Sequence, residues 1–190
     1  MQVAGLVLAA GEGRRFGGPK AIHELDGERL VDRAARVLQV GGCDVLYVVS
    51  GAVSVEVPGA TTVVNDAWQT GMASSLRAGL DALPESVDAV VISLVDQPGI
   101  GADAVARLVD RLRAGHSLVV ATYDGQPRNP VGVARPLWEA VSASASGDEG
   151  ARAFIRAHPD LVEAVECSDI GASVDIDTPA DLASHRREDG

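Results

Sequence analysis

The chain has 190 residues, 46% of them hydrophobic, which is enough for one domain with a sizeable core. Its 27 acidic and 16 basic side chains give a net charge of −11, which argues against nucleic acid or an anionic membrane as a partner. No window reaches the roughly 20 apolar residues of a membrane span, and no signal-peptide pattern is present. Cys43 and Cys167 stand far apart, which is typical of reduced thiols. We expect a single cytoplasmic domain over residues 1–190, with a frayed tail at 184–190.

Strand-like and helix-like segments alternate along the chain. Apolar runs predict five strands, and apolar residues at helical spacing predict three helices. In chain order these are the strand Val3–Ala9, the helix Arg29–Val40, the strands Val45–Val49 and Thr61–Val64, the helix Met72–Leu83, the strand Ala89–Val95, the helix Ala102–Arg113 and the strand Ser117–Ala121. Near-continuous apolar strands between helices predict a mostly parallel sheet covered on both faces, which is an α/β fold of the three-layer α/β/α, Rossmann-like type.

A glycine-rich loop follows the first strand. Residues 6–20 read LVLAAGEGRRFGGPK, with glycines at 11, 13, 17 and 18 and with cations at Arg14, Arg15 and Lys20. Glycines let the backbone turn tightly and bring several N–H groups close to a ligand, and cations balance the charge of phosphate. In a chain with so many acidic residues, this local positive charge predicts a binding site for a polyphosphate.

This loop departs from two better-known phosphate loops. A dinucleotide-binding fingerprint has its third glycine where Phe16 stands, and a Walker A loop has a hydroxyl residue where Ala21 follows Lys20. Neither a dehydrogenase nor a P-loop NTPase is therefore favoured. A glycine-rich surface turn is the remaining alternative, but such a turn does not require a cluster of cations.

Asp96 is the first candidate for binding a metal ion. It follows the apolar strand Ala89–Val95, so we expect it at the same edge of the sheet as the glycine loop. A carboxylate there could hold Mg²⁺ against the phosphates of a substrate, or it could cap a turn or a helix. Its position alone favours neither role.

The second candidate lies in residues 174–182, which read VDIDTPADL. Thr178 and Asp181 predict the cap of a helix that has Pro179 in its first turn. This cap does not explain Asp175 and Asp177, which lie on one side of an extended segment. One of these two aspartates is therefore the second candidate metal ligand.

Three further segments are less specific. The helix that starts at Met72 carries small polar residues and could receive a base or phosphate through its backbone N–H groups, although an ordinary helix cap is slightly favoured. Residues 124–130, DGQPRNP, are more typical of a turn between strands than of a site. Residues 142–150 are small and polar, and they predict a mobile surface segment.

Six motifs occur in order along the chain: LAAGEGRRFGGPK, GMASSL, LVDQP, NPVGV, SGDEGAR and DIDTPADL. This succession, from about Val3 to Leu182, resembles the nucleotidyltransferases that act on the molybdenum cofactor, and it looks most like the cytidylyltransferase branch of that family. The resemblance implies a nucleotidyltransferase fold and transfer of CMP from CTP to a phosphorylated pterin acceptor. It also implies Mg²⁺ or Mn²⁺ as cofactor, and a recipient molybdoenzyme or its chaperone as a possible partner.

The resemblance also implies roles for individual residues. Arg14 and Lys20 would act in catalysis, and Asp96 and Asp177 would hold the metal ion. The residues implied in nucleotide binding are Leu8, Ala9, Ala10, Gly11, Gly13, Asn65, Gly71 and Ser75. The family's LAAG motif, rather than LAGG, accompanies cytosine, so CTP is the expected nucleotide. Residues 124–130 would face the acceptor, and they read Arg-Asn-Pro where this branch commonly has Gly-His-Pro.

Three other functions stay open at this point. The acceptor could be a sugar phosphate or a polyol phosphate, although the chain lacks the extra length that larger enzymes of this kind devote to such acceptors. The protein could also be a nucleotide-binding chaperone for a molybdoenzyme without turnover, but the implied catalytic residues are all present. NAD(P)-dependent oxidoreduction is disfavoured by the missing third glycine.

Overall fold

A seven-stranded sheet forms the centre of the molecule. The computed structural model describes residues 1–188, with side chains as far as residue 184. The strands are β1 (Val3–Leu8), β2 (Glu24–Leu25), β3 (Glu28–Arg29), β4 (Val45–Ser50), β5 (Ala60–Val64), β6 (Ala89–Leu94), β7 (Leu118–Tyr123), β8 (Gln126–Ala134) and β9 (Val162–Glu166). The helices are α1 (Leu30–Val40), α2 (Met72–Asp81), α3 (Ala102–Arg113), α4 (Trp138–Ser144), α5 (Arg152–Ala157) and α6 (Pro179–Glu188).

The strand order of the central sheet is β5–β4–β1–β6–β8–β7–β9. Strands β5, β4, β1 and β6 run parallel to one another, and β9 runs parallel to β7. Strand β8 runs antiparallel to its neighbours β6 and β7, while β2 and β3 form a separate antiparallel pair. The predicted α/β fold with a mostly parallel central sheet is therefore confirmed.

Both faces of the sheet are covered by helices, which explains why the sequence of β1 is apolar throughout. Val3 and Val7 point to the face that packs against α1 and α3, where they join residues such as Leu108 in one cluster. Leu6 points to the opposite face and packs in a second cluster with residues of α2 and α4, such as Leu76. Every residue of β1 is buried as a result.

The adjacency of β1 and β6 positions the functional site. Leu8 at the end of β1 pairs with Leu94 at the end of β6. The glycine loop after β1 and the carboxylate Asp96 after β6 therefore leave the sheet side by side. In parallel α/β sheets, ligands collect at this carboxyl edge.

The five predicted strands and three predicted helices are confirmed, each within two residues at either end. Strands β8 and β9, the short β2–β3 pair and the helices α4 and α5 were not predicted from the sequence. A turn was expected over residues 124–130, but only Asp124 and Gly125 have positive φ angles, of 51° and 72°, and β8 begins at Gln126. The prolines at 127 and 130 obscured this strand, because proline donates no hydrogen bond to a sheet.

Two surface expectations also differ from the structure in part. Residues 142–144 complete α4, and the carbonyl of Gly147 accepts a hydrogen bond of 2.9 Å from the backbone N–H of Ala73, so this segment is fastened at α2. The mobility expected for 142–150 stays a prediction. The tail was expected to fray from residue 184, whereas the backbone is helical to Glu188. Residues 189–190 lie outside the described part of the chain.

Glu166 fastens the hairpin of β7 and β8 to the end of β9. Its carboxylate accepts hydrogen bonds from Ser168, from the hydroxyl of Thr122 at 2.9 Å and from the backbone N–H of Gly125 at 3.1 Å. These bonds, those of Ser168 first, lower the pKa of Glu166 from 4.5 to about 2. A carboxyl group with a lowered folded-state pKa contributes stability above its unfolded pKa and loses it as the pH falls toward the folded value.

We expect Glu166→Gln to destabilise the protein by an amount that depends on pH. The difference in the free energy of unfolding between variant and wild type should be constant above about pH 5.5. It should shrink as the pH falls below 4.5, because the stabilisation that the ionised Glu166 gives the wild type is then lost. Urea unfolding between pH 7 and pH 4 measures this difference. The control is Glu85→Gln, at an exposed loop position. A Glu166→Gln deficit that did not change with pH would contradict this account.

Candidate active site

An open cavity of about 430 Å³ lies at the carboxyl ends of β1 and β6. Its walls come from the glycine loop, from the start of α2 with the preceding Trp68 and Gln69, and from the end of β6. Leu8, Met72 and Leu94 supply apolar wall, while Arg14 and Lys20 supply positive charge. Glu12, Asp96 and Asp148 also line the cavity, which therefore combines an apolar wall with charged groups of both signs and suits a ligand that has a ring at one end and phosphates at the other.

The glycine loop is wound around one carbonyl group. The carbonyl oxygen of Gly13 accepts hydrogen bonds from the backbone N–H groups of Phe16 and Gly17, both at 2.9 Å, and of Gly18 at 3.2 Å. Within the part of the chain that the structure describes, the N–H groups of residues 11–15 have no hydrogen-bond partner. Consecutive unpaired N–H groups in a tight turn form a site for an anion. The predicted phosphate loop is consistent with this geometry.

Three residues that are distant in sequence meet beside the loop. The Nζ atom of Lys20 donates hydrogen bonds of 3.0 Å to Oδ2 of Asp96 and of 3.0 Å to Oδ1 of Asp177. The exposed fractions of the three side chains are 14% for Lys20, 25% for Asp96 and 51% for Asp177, so the ion pair with Asp96 is the more shielded one. The structure thus brings together the two carboxylates that the sequence analysis assigned to a metal ion.

Burial makes this cluster interdependent. It raises the pKa of Asp96, and the charge of Lys20 opposes that rise. Burial likewise lowers the pKa of Lys20, but Asp96 and Asp177 outweigh this effect, and the pKa of Lys20 is raised overall. Each charge therefore depends on the others, because an unpaired ion in this position would lose its hydration without compensation.

The segment that carries Asp177 is held against the end of β6 by the residues on either side of it. The backbone N–H of Ile176 donates a 2.7 Å hydrogen bond to the carbonyl of Asp96, and the side chain of Ile176 is buried in a small cluster with Phe16 and Leu25. Asp181 accepts hydrogen bonds from the N–H groups of Asp177 and Thr178, at 3.0 and 2.7 Å. The predicted cap of α6 is therefore present, and it also fixes the backbone of Asp177.

Gln97, in the motif LVDQP, positions Asp175, and no role was predicted for it from the sequence. Its side chain is only 4% exposed, and its Nε2 donates a 2.6 Å hydrogen bond to Oδ1 of Asp175. Asp175 was the alternative to Asp177 as metal ligand. Because Asp175 is engaged by Gln97 while Asp177 meets Lys20, the geometry favours Asp177 for that role.

The donor atoms of the cluster suit a magnesium or manganese ion that also binds phosphate. Oδ1 of Asp96 is buried and has no hydrogen-bond partner among the described residues, so it has unused capacity to accept a cation. No group of three His, Cys, Asp or Glu residues that could hold a metal by itself occurs in the described part of the chain. Mg²⁺ is commonly held by one or two carboxylates together with substrate phosphates, and Asp96 and Asp177 match that pattern.

The start of α2 is capped by a distant segment of the chain and not by its own N-cap residue, Gly71. The N–H of Met72 donates to Oδ1 of Asp148 at 3.2 Å, and the N–H of Ala73 donates to the carbonyl of Gly147. These groups are therefore already paired, and phosphate binding by this helix end is not favoured. The motif SGDEGAR thus acquires a structural role, since Asp148 both caps α2 and lines the cavity.

The predicted nucleotide-binding residues divide into two groups. Those that line the cavity are Leu8, Ala10, Gly11, Gly13, Gly71 and Ser75. Ala9 does not line it, because its side chain is buried in the core beneath α1 and α3. Asn65 does not line it either: its amide donates to Ser74 and Ser75, at 2.8 and 3.0 Å, and so it orders the cavity wall from outside.

The two predicted cations near the phosphate position differ in their surroundings. Arg14 lines the cavity and forms an ion pair with Glu12, and most of its side chain is exposed. Arg15, which the sequence left without a role, lies with its Nη1 atom 3.9 Å from Oδ2 of Asp177. Lys20 is thus held by two carboxylates in a shielded position, whereas Arg14 has one carboxylate partner at the surface.

Comparison with known proteins defines the class of this protein. Residues 5–162 match the MobA-like NTP transferase domain, so the chain belongs to that family. A nicotine blue oxidoreductase from Paenarthrobacter nicotinovorans is 39% identical to the chain, over 93% of this chain and 92% of that protein.

Solved structures share the fold of this chain. A homologue of Mycobacterium tuberculosis Rv0371c from Mycobacterium sp. strain JC1 has a TM-score of 0.83 and 30% identity, and the match covers 99% of this chain and 100% of that one. The 2-C-methyl-D-erythritol 4-phosphate cytidylyltransferase of Thermus thermophilus has a TM-score of 0.75 at 19% identity, over 99% and 98% of the two chains, which shows a shared fold. None of the described helices is long and apolar enough to cross a membrane.

Gly13 and Gly17 provide a matched test of the loop. Both have positive φ angles, of 62° and 89°, so alanine at either position costs about 1 kcal/mol. A Cβ atom on Gly13 would also lie 1.9 Å from the carbonyl oxygen of Gly18, whereas one on Gly17 would meet no atom within 4 Å. We expect Gly13→Ala to open the loop and to weaken nucleoside triphosphate binding by about tenfold or more, comparable to the loss of one charged hydrogen bond.

Calorimetric titration with CTP and Mg²⁺ measures this effect, and Gly17→Ala is the control. Its affinity should stay close to that of the wild type. Equal losses in the two variants would mean that backbone strain alone, and not the packing of the loop around Gly13, governs binding.

Proposed function

We propose that this protein transfers CMP from CTP to the terminal phosphate of the molybdenum cofactor, a phosphorylated pterin, and releases pyrophosphate. The observation that carries the proposal is the convergence of Lys20, Asp96 and Asp177 beside a glycine loop with unpaired backbone N–H groups, in a MobA-like NTP transferase domain. The product would pass to a recipient molybdoenzyme or to its chaperone.

The chemistry places few demands on the protein beyond position and charge. A phosphate oxygen of the acceptor attacks the α-phosphorus of CTP and forms a new P–O bond. The bond from the α-phosphorus to the bridging oxygen breaks, and pyrophosphate leaves with its electron pair. Because the attacking oxygen is already anionic, no strong general base is required, and catalysis rests on alignment and charge stabilisation.

The residues of the site divide this task. The unpaired N–H groups of residues 11–15 bind phosphate oxygens, and Arg14 turns from Glu12 to the triphosphate. Lys20 offsets negative charge near the α-phosphorus. Asp96 and Asp177 would hold Mg²⁺ or Mn²⁺, and that ion would offset negative charge on the phosphates during the transfer.

The preference for CTP is supported by the residues at the end of β1. The chain reads Leu8-Ala9-Ala10-Gly11, the form of the motif that accompanies cytosine in the family that it resembles. Ala10, the second alanine of this motif, lines the cavity. A cytidylyltransferase is among the proteins that share the fold.

A second candidate function is oxidoreduction. It is favoured by the 39% identity with a protein named nicotine blue oxidoreductase, over nearly the whole of both chains. The glycine loop disfavours NAD(P)-dependent oxidoreduction, because Phe16 occupies the position of the third glycine of a dinucleotide-binding fingerprint. Lys20, Asp96 and Asp177 are also arranged for phosphate chemistry rather than for hydride transfer.

Nucleotide competition tests the proposal. We expect pyrophosphate release with CTP, molybdenum cofactor and Mg²⁺, and much less release when GTP or ATP replaces CTP or when the divalent cation is removed. The measurement is coupled phosphate detection after pyrophosphatase, with sugar phosphates and polyol phosphates as alternative acceptors.

Each other outcome has a distinct meaning. A preference for GTP would overturn the assignment of the base, and release with a sugar phosphate alone would overturn the assignment of the acceptor. CTP binding without release for any acceptor would favour a nucleotide-binding chaperone. Oxidation of NADH or NADPH in the presence of nicotine blue, without pyrophosphate release, would favour the oxidoreductase.

A further inference from the structure

Lys20 sits at the point where a cation between the two carboxylates must lie. Its Nζ atom is 3.0 Å from an oxygen of Asp96 and 3.0 Å from an oxygen of Asp177, and its side chain is largely shielded from solvent. A magnesium ion binds carboxylate oxygens directly, so an ion that took these same two oxygens would compete with the ammonium group for them.

We propose that Lys20 and a divalent metal ion are alternative partners of the Asp96–Asp177 pair, and that the phosphates of the nucleotide draw Lys20 away as the metal takes its place. This inference rests on the proposed function, because it takes the ligand to be a nucleoside triphosphate. It assigns Lys20 a second role, as the residue that couples metal binding to nucleotide binding.

The burial of Asp96 explains why an exchange is needed. If Lys20 left without a replacement, the carboxylate of Asp96 would remain charged and shielded from water, which is costly. If the metal arrived while Lys20 stayed, two cations would lie in contact. Oδ2 of Asp96 and Oδ1 of Asp177 are therefore satisfied by one cation at a time, either the ammonium group or the metal ion, and Oδ1 of Asp96 is left to join the metal.

The cavity provides a destination for Lys20. Lys20 lines the same cavity as Gly11, Gly13 and Arg14, so phosphates bound to the loop would lie within reach of its ammonium group. Lysine has four flexible methylene groups, and the Nζ atom can move while the backbone at the start of the 3-10 turn Lys20–Ile22 stays in place. The exchange therefore requires rotation of one side chain only.

Such an exchange makes metal and nucleotide binding cooperative. The nucleotide removes the competitor of the metal, and the metal removes the partner that retains Lys20. The coupling is reciprocal, so each ligand should raise the affinity for the other by the same factor. Metal alone should bind weakly, because it must displace Lys20 without offering it a new partner.

Binding of Mn²⁺ alone to Lys20→Met tests the proposal without any turnover. The free Mn²⁺ signal in electron paramagnetic resonance gives the affinity, first without nucleotide and then with the α,β-methylene analogue of CTP. We expect Lys20→Met to bind Mn²⁺ about ten- to a hundredfold more tightly than the wild type without nucleotide, the size of a typical coupling between sites. The analogue should increase Mn²⁺ affinity less in the variant than in the wild type.

Arg36→Met is the matched control, since it removes one positive charge from an exposed side chain that pairs with Glu28 and does not line the cavity. It should change Mn²⁺ affinity only slightly. If Mn²⁺ affinity rose equally in the two variants, the effect would be one of net charge alone. If Mn²⁺ affinity did not rise in Lys20→Met, the proposed exchange would be overturned. Lys20→Gln is a second neutral variant in case Lys20→Met does not fold, and the same tightening is expected of it.

The outcome is separable from that of the proposed function. If Lys20→Met binds Mn²⁺ more tightly but the wild type releases no pyrophosphate with any acceptor, the exchange of Lys20 for metal is supported and the proposed transferase function is contradicted. If the wild type releases pyrophosphate but Lys20→Met binds Mn²⁺ no more tightly, the proposed transferase function is supported and the exchange is contradicted.

Discussion

The half-buried carboxylate of Asp96 needs a cation, and the arrangement of the site follows from that need. Its environment raises its pKa, one of its oxygens has no hydrogen-bond partner among the described residues, and the other accepts from Lys20. A charge in this position is stable only when it is paired, so the protein must bring a cation to the end of β6. Lys20 meets this requirement, and Asp177 supplies the second carboxylate that makes the position suitable for a divalent ion.

The convergence of these residues depends on three parts of the fold. The parallel pairing of β1 and β6 brings the glycine loop to Asp96. The small apolar cluster that contains Phe16 and Ile176 joins that loop to the segment before α6, and the hydrogen bond from Ile176 to the carbonyl of Asp96 sets the register of that segment. The active site is therefore also the junction at which the last segment of the chain closes on the sheet.

Periodicity and local chemistry were enough to predict much of this arrangement. The apolar runs of β1 and β6 predicted buried parallel strands, and the residues that follow them were placed at one edge of the sheet by topology alone. Which of the predicted binding residues point into the cavity could not be predicted in the same way. Ala9 and Ala10 are identical in the sequence, but only Ala10 faces the cavity, and Asn65 turned out to bind Ser74 and Ser75. The role of Asp148 at α2 depends on a contact between segments 76 residues apart, which no local pattern reports.

The proposed function depends most on Lys20 and Asp96 acting directly in the catalysis of nucleotidyl transfer. The most direct test is the rate of pyrophosphate release from CTP and molybdenum cofactor by Lys20→Ala and Asp96→Ala, with Asp169→Ala, an exposed carboxylate paired with Arg107, as the control. The account predicts that each site variant loses on the order of 10²–10³ in rate, as is typical when one charge-stabilising group is removed, while retaining its fold by circular dichroism. The control should keep the wild-type rate. A folded Lys20→Ala or Asp96→Ala protein that turns over at nearly the wild-type rate would contradict the claim.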